Sequence, residues 1–140
     1  MVSSQKFLEK CWALSSKNEN SEFKQENFEQ GQIVARGFAD LGYEEFILLS
    51  PSKICSLYSG KVSELPAEER KHFFPVPDAD MLIKQIIKAE YDVISMVYQD
   101  QRSWIVNLKN IQTDQLVKFE GETLRDALIE TFSGLDLQNV

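Results

Sequence analysis

The single histidine of the chain, His72, lies in the stretch RKHFFPVP (Arg70–Pro77). Any Ser-His-Asp or Cys-His arrangement for nucleophilic catalysis would have to use it as the base. Against that role stands a simpler one, a surface histidine near a helix end that meets the last free carbonyls. Metal chemistry has less to work with. Cys11 and Cys55 are 44 positions apart and no C-x-x-C occurs, so zinc-ligand spacing is missing. Asp78 and Asp80 in PDAD lack the spaced acids and the glycine of a calcium loop. Asp78 suits a helix N-cap, and Asp80 suits the positive end of the helix dipole. Gly60-Lys61 fails as a phosphate loop, because Cys55 stands where the first glycine belongs and Val62 where Ser or Thr would follow. Ser59 has no glycine two positions before it, as a nucleophile elbow requires. Glu44-Glu45 and Glu68-Glu69 are adjacent carboxylates, which do not face each other on a helix and read as solvated side chains rather than an acid–base pair. No catalytic, cofactor-binding or metal site is expected from these residues.

A contact surface is the remaining candidate. Phe73 and Phe74 stand against Pro75 and Pro77 and make a stiff apolar segment. It reads either as a core plug between the two halves of the chain or as an exposed patch of the kind that marks interfaces. Trp104 reads first as packing at the start of a core-facing strand and second as a stacking platform. The residues assigned to possible partner contact are His72, Phe73, Phe74, Pro75, Pro77, Arg102 and Trp104.

Composition narrows the partner. The chain has 140 residues, 43% hydrophobic and 26% charged, the profile of an ordinary globular domain. A domain of that size buries roughly 68% of its unfolded surface, so no metal or disulfide staple is required. Twenty-two acids against 15 bases give a net charge of −7. Residues 1–70 hold 8 bases and 11 acids, and residues 71–140 hold 7 and 11, so neither half is a basic module. Nonspecific nucleic-acid affinity needs Lys and Arg on phosphates, and anionic membranes attract polybasic clusters. Direct contact with either is therefore not expected. Apolar runs such as Phe46–Leu49 fall far short of the ~20 residues of a membrane span. MVSSQKFLEK has no apolar signal core, and a cytoplasmic location is the expectation. Two cysteines fit a reducing compartment. Each is assigned to an apolar helical face as a small core hydrophobe, with the question of whether they meet left open.

Hydrophobic spacing predicts the elements. Phe7, Leu8, Cys11, Trp12 and Leu14 stripe a helix over 4–14, followed by a polar loop over 15–25. Phe28, Val34, Phe38 and Leu41 suggest a second helix over 26–40, stopped by Gly42. Phe46–Leu49 fits a buried strand or a helical turn equally well. Ser50-Pro51 suggests an N-cap with proline at the first helical position and a helix to Ser59, ended by Gly60. A further short helix over AEERKH ends before Pro75. Asp78 opens an amphipathic helix over 79–90, carried by Ala79, Leu82, Ile83, Ile86 and Ile87. Three strands follow at 91–98, 103–108 and 115–119, rich in β-branched and aromatic residues and joined by QDQR and KNIQTD. Gly121 ends the last strand, Thr123 starts a helix through Leu124, Ala127, Leu128 and Phe132, and Gly134 stops it. The expected fold is α+β in one domain: a helical part over 1–77 packed on an α-β-β-β-α unit over 78–140, with an antiparallel meander.

That α-β-β-β-α order is shared with the double-stranded-RNA-binding domain. The last helix of that family opens with lysines, whereas this one begins ETLRDALIE, so RNA binding is not expected. YDVISMVYQDQRSWIVNL…VKFEGETLRDALIETF resembles the strand–helix join of HicB-type antitoxins, and a similar pattern occurs in small phage-associated α/β sandwich proteins. The likeness covers about 45 residues, lacks the PDLPG segment and DNA-binding extension of the antitoxins, and carries no site residues across. The function expected is a non-catalytic protein–protein interaction or regulatory module whose partner is another protein, with a homo-oligomer open. An acidic, antitoxin-like regulator of a basic nucleic-acid-handling protein is one alternative. A ligand-binding protein or enzyme with a site near His72 and the Asp100–Trp104 hairpin is the other.

Overall fold

A computed structural model of the chain describes residues 3–17, 29–38 and 41–135. It is an α+β protein whose residues group into two compact units, 1–76 and 77–140.

The first unit contains helix α1 (Gln5–Lys17), strands β1 (Ile33–Phe38), β2 (Gly42–Ser50), β3 (Lys53–Ser56) and β4 (Val62–Glu64), a 3-10 helix (Ala67–His72) and a two-residue strand β5 (Phe74–Pro75). The strands form one antiparallel sheet in the order β4-β3-β2-β1-β5. α1 begins where the sequence places it and runs one turn longer, through Ser15–Lys17. The remainder of the 15–25 loop lies outside the described residues.

The expected helical character of residues 1–77 gives way to sheet. Residues 33–38 are strand β1, not the second half of a helix; 26–28 and 39–40 lie outside the described residues. Val34 and Phe38 are four apart, a spacing that puts two side chains on one face at period 2 as well as at period 3.6. Pairing with β2 decides between the two, and Val34, Arg36 and Phe38 share one face of the sheet. Gly42 accordingly starts β2 with φ of +80° instead of stopping a helix. Phe46–Leu49 is strand, inside β2. Ser50-Pro51 does not open a helix. Proline suits the second position of a β-turn as well as a first helical turn, and here it turns β2 into β3, with Ser50 paired to Lys53. Gly60, at φ of +74°, serves the turn between β3 and β4. Cys55 thus sits on a strand, half-buried, and Cys11 is buried on α1.

Each face of this sheet has its own cover. Ala35, Glu45 and Phe74 are cross-strand neighbours on one face. α1 contacts β2 and β5, and buries Phe7, Leu8, Cys11 and Leu14. On the other face Val34, Phe46, Leu48 and Ile54 cluster with Leu65 and Phe73 from the segment around the 3-10 helix.

The second unit follows the expected order closely: α2 (Ala79–Lys88), β6 (Tyr91–Gln99), β7 (Ser103–Asn110), β8 (Leu116–Gly121) and α3 (Leu124–Gly134). Asp78 caps α2 by accepting a hydrogen bond from the Met81 amide at 2.8 Å. The sheet order is β6-β7-β8. Along it Val93, Met96 and Tyr98 line up with Leu108, Val106 and Trp104, and these with Val117, Phe119 and Gly121. α2 and α3 pack on this face. The chain reverses between β6 and β7 through Asp100 and Gln101, both at φ of +55°. No helix among the described residues is long and apolar enough to cross a membrane.

Candidate functional site

The alternation that turns 33–38 into a strand also aims Arg36 and Phe38 out of the sheet on the side away from α1. Glu44 of β2 is the cross-strand partner of Arg36, and Phe46, opposite Val34, lies on the same face. Ser56 and Ile54 of β3 continue the same face, and Ser63 of β4 ends it. The segment Leu65–Phe73 crosses one end of this face and leaves the rest as a groove of about 510 Å³. Its floor is Phe38, Phe46 and Ile54, and Leu65 and Phe73 wall it. Phe46 and Phe73 meet edge to face with ring centroids 5.6 Å apart, a favoured aromatic geometry.

Arg36 organises the rim. Its guanidinium carbon lies 4.9 Å from the Phe38 ring centre and 5.5 Å from that of Phe73, within cation–π range of both. One terminal nitrogen reaches Glu69 Oε2 at 3.4 Å. Its Nε is buried without a hydrogen-bond partner, an uncompensated donor in a protein interior. Opposite, Ser56 Oγ donates to Glu44 Oε2 at 2.6 Å and accepts from the amides of Tyr58 and Ser59. That hydroxyl is committed on every side and holds the β3–β4 turn. Lys61 and Glu64 complete the rim. The charged lining is three carboxylates, Glu44, Glu64 and Glu69, against Arg36 and Lys61. Among the described lining residues there is no histidine and no cysteine, and the one hydroxyl bonded to a carboxylate, that of Ser56, also accepts from two amides. The groove is an apolar trough with a few charged groups converging on it, a form that ligand and recognition sites share.

The residues chosen from sequence fall in different places. His72 ends the 3-10 helix, half exposed, with Nε2 3.8 Å from Glu69 Oε2; this is an ion pair when the imidazole is protonated. Phe73, Phe74, Pro75 and Pro77 are buried, which corrects the exposed-patch reading. Phe73 belongs to the core of the first unit and walls the groove. Phe74 pairs with Ala35 and meets the Tyr43 ring edge-on at 5.7 Å. Arg102 and Trp104 belong to the second unit, Arg102 exposed in the hairpin and Trp104 half-buried with its ring 5.5 Å from that of Tyr98. Arg36 and Ser56 were missed because they lie on strands read as helices, and Glu44 was read only as a solvated neighbour of Glu45. The alternation VARGF was the available signal.

Two polar features lie on the α1 side. Glu45 is buried and accepts from the backbone amide and the hydroxyl of Ser3. Tyr58 donates to the Tyr43 carbonyl at 3.1 Å. Burial, then the Glu45 carboxylate, raises the Tyr58 phenol above its ordinary value; burial, then Glu9, does the same for Tyr43. Among the described residues no group of three His, Cys, Asp or Glu is placed to hold a metal ion. No family model, no curated protein and no solved structure matches the chain.

Proposed function

We propose that this protein is a non-catalytic protein–protein interaction module, working in the cytoplasm, that holds an extended segment of a partner in the Arg36 groove. The carrying observation is a groove with Phe38 partly exposed and Phe46 and Ile54 buried at its base, beside a rim richer in carboxylates than in cations. Such a trough suits a segment with apolar side chains for the floor and a basic residue for Glu44 and Glu64. Selection from a random peptide library tests this. Wild-type protein is expected to enrich apolar sequences flanked by Lys or Arg. Phe38→Ala and Glu64→Lys should each lose that enrichment while the fold is retained. No enrichment, or enrichment indifferent to both variants, would sink the reading.

A second reading, an acidic regulator of a basic nucleic-acid-handling protein, is favoured by the charge of residues 77–140, which hold 11 acids against 6 bases. Electrostatic steering would speed that encounter. Its distinguishing mark is binding that falls steeply with ionic strength.

A further inference from the structure

We propose that two copies of this chain associate through β6, antiparallel across a twofold axis at Val97, to make one continuous six-stranded sheet. The observation is an unprotected edge. In the sheet order β6-β7-β8, one hydrogen-bonding edge of β6 has no strand beside it among the described residues. Nine residues make it one of the two longest strands. The outer strands of the other sheet are three and two residues long. β8, the opposite edge, is shorter and carries Lys118 at its middle.

Natural proteins blunt free edges with lysine, proline or short length. YDVISMVYQ has none of these and a single charge, Asp92. Its one protective device is a bulge between Val93 and Ser95, which leaves Ser95–Gln99 in regular register. That regular half is also the apolar, uncovered half. Met96 is 39% exposed, Val97 48% and Tyr98 50%, with Ile94 at the bulge 54%. Met96 and Tyr98 lie on the face that carries α2 and α3, so these helices stop short of them.

A twofold at Val97 fits this half to itself. Met96 falls opposite Tyr98 of the second copy, Val97 opposite Val97, and Ser95 opposite Gln99. Directly opposed residues share a face, so Met96, Tyr98 and Trp104 join their symmetry mates in one apolar cluster. No like charges oppose within the paired segment. Asp92 is carried toward the hairpin of the second copy, where Arg102 and Asp100 are both exposed. The contact is self-complementary, as a twofold interface must be. It is confined to one strand edge and its flanking side chains, toward the small end of specific interfaces at about 1,200 Å² or less. The dimer is accordingly expected to depend on concentration.

Light scattering after size separation, over a concentration series of the full chain, is the test. Wild type should pass from monomer to dimer, insensitively to salt. Val97→Lys sets two ammonium groups against each other and should remain monomeric, with an unchanged circular dichroism spectrum. Leu116→Lys, on the β8 edge, should dimerise as wild type does. Because the axis passes through position 97, Val97→Cys should form an intermolecular disulfide on mild oxidation, and Leu116→Cys should not. Opposed Cα atoms in an antiparallel pair are about 4.5–5.5 Å apart, within disulfide reach. A monomer at every concentration overturns the proposal. So does a dimer that Val97→Lys leaves intact and Val97→Cys does not trap.

Discussion

Glu45 is a carboxylate taken almost wholly out of water, at 2% exposure, in the middle of a strand. Desolvating that charge is costly, and the two donors of Ser3 offset the cost. Glu45→Ala removes the acceptor of both these bonds, so a loss of about 1–3 kcal/mol is expected in urea unfolding. Glu45→Gln, which keeps a carbonyl oxygen of the same shape, should lose less. Tyr58 lies nearby, and its raised pKa carries a sign. Below the ordinary phenol value of about 10, folded and unfolded states both keep the proton and its contribution is fully present. Above that value the unfolded chain ionises first, so stability falls as pH rises through the folded pKa. Tyr58→Phe should flatten the alkaline limb of a stability–pH profile. The side chain is half exposed, and the slope should be small. Thr123 is the simplest case. Its hydroxyl accepts from the Asp126 amide at 3.1 Å, and the Asp126 carboxylate accepts from the Thr123 amide at 3.2 Å. Losing this capping box in Thr123→Ala should cost about 1 kcal/mol.

At the scale of elements, glycines separate two kinds of constraint. Gly121 ends β8, as expected, without a positive φ, and its role is proximity: a Cβ there would lie 2.4 Å from the Ala127 amide nitrogen of α3. Gly121→Ala must push helix from sheet and should cost about 1–3 kcal/mol in thermal or urea unfolding. Gly60 is the reverse case, with open space around it but φ of +74°. Gly60→Ala should cost about 1–2 kcal/mol, from backbone conformation alone. The elements themselves differ in how readable they were. α2 carries apolar residues at 79, 82, 83, 86 and 87, a pattern only a helix explains, and an N-cap precedes it. The run Tyr91–Gln99 is β-rich and bounded by a polar turn. β1 offered Val34 and Phe38, which both periods accommodate, and Ser50-Pro51 is a start signal for a helix and a turn signal alike. Local chemistry was ambiguous there, and the pairing partner resolved it.

For the molecule as a whole, the groove belongs to residues 1–76 and the β6 edge to residues 77–140, and their tests should separate. Val97→Lys should leave groove binding intact, and Glu64→Lys should leave the dimer intact. Residues 77–140 bring their own buried set, Leu82, Ile86, Val106, Leu108, Ala127, Leu128, Ile129 and Phe132. A fragment of this length is within the range that folds alone, and 77–140 is expected to unfold cooperatively, as circular dichroism in urea would show. By itself the sequence determined the α+β class, the first helix, the order α-β-β-β-α with both helix caps, and the absence of motif-level spacing for metal or phosphate. Those features are local: a cap, a period and a turn act within a few residues. Tertiary structure alone decided that residues 33–64 are sheet, because strands gain their hydrogen bonds from residues far along the chain. It therefore decided the groove as well. Arg36, Glu44 and Ser56 converge only through cross-strand register, and Phe73 becomes wall and core by crossing their face.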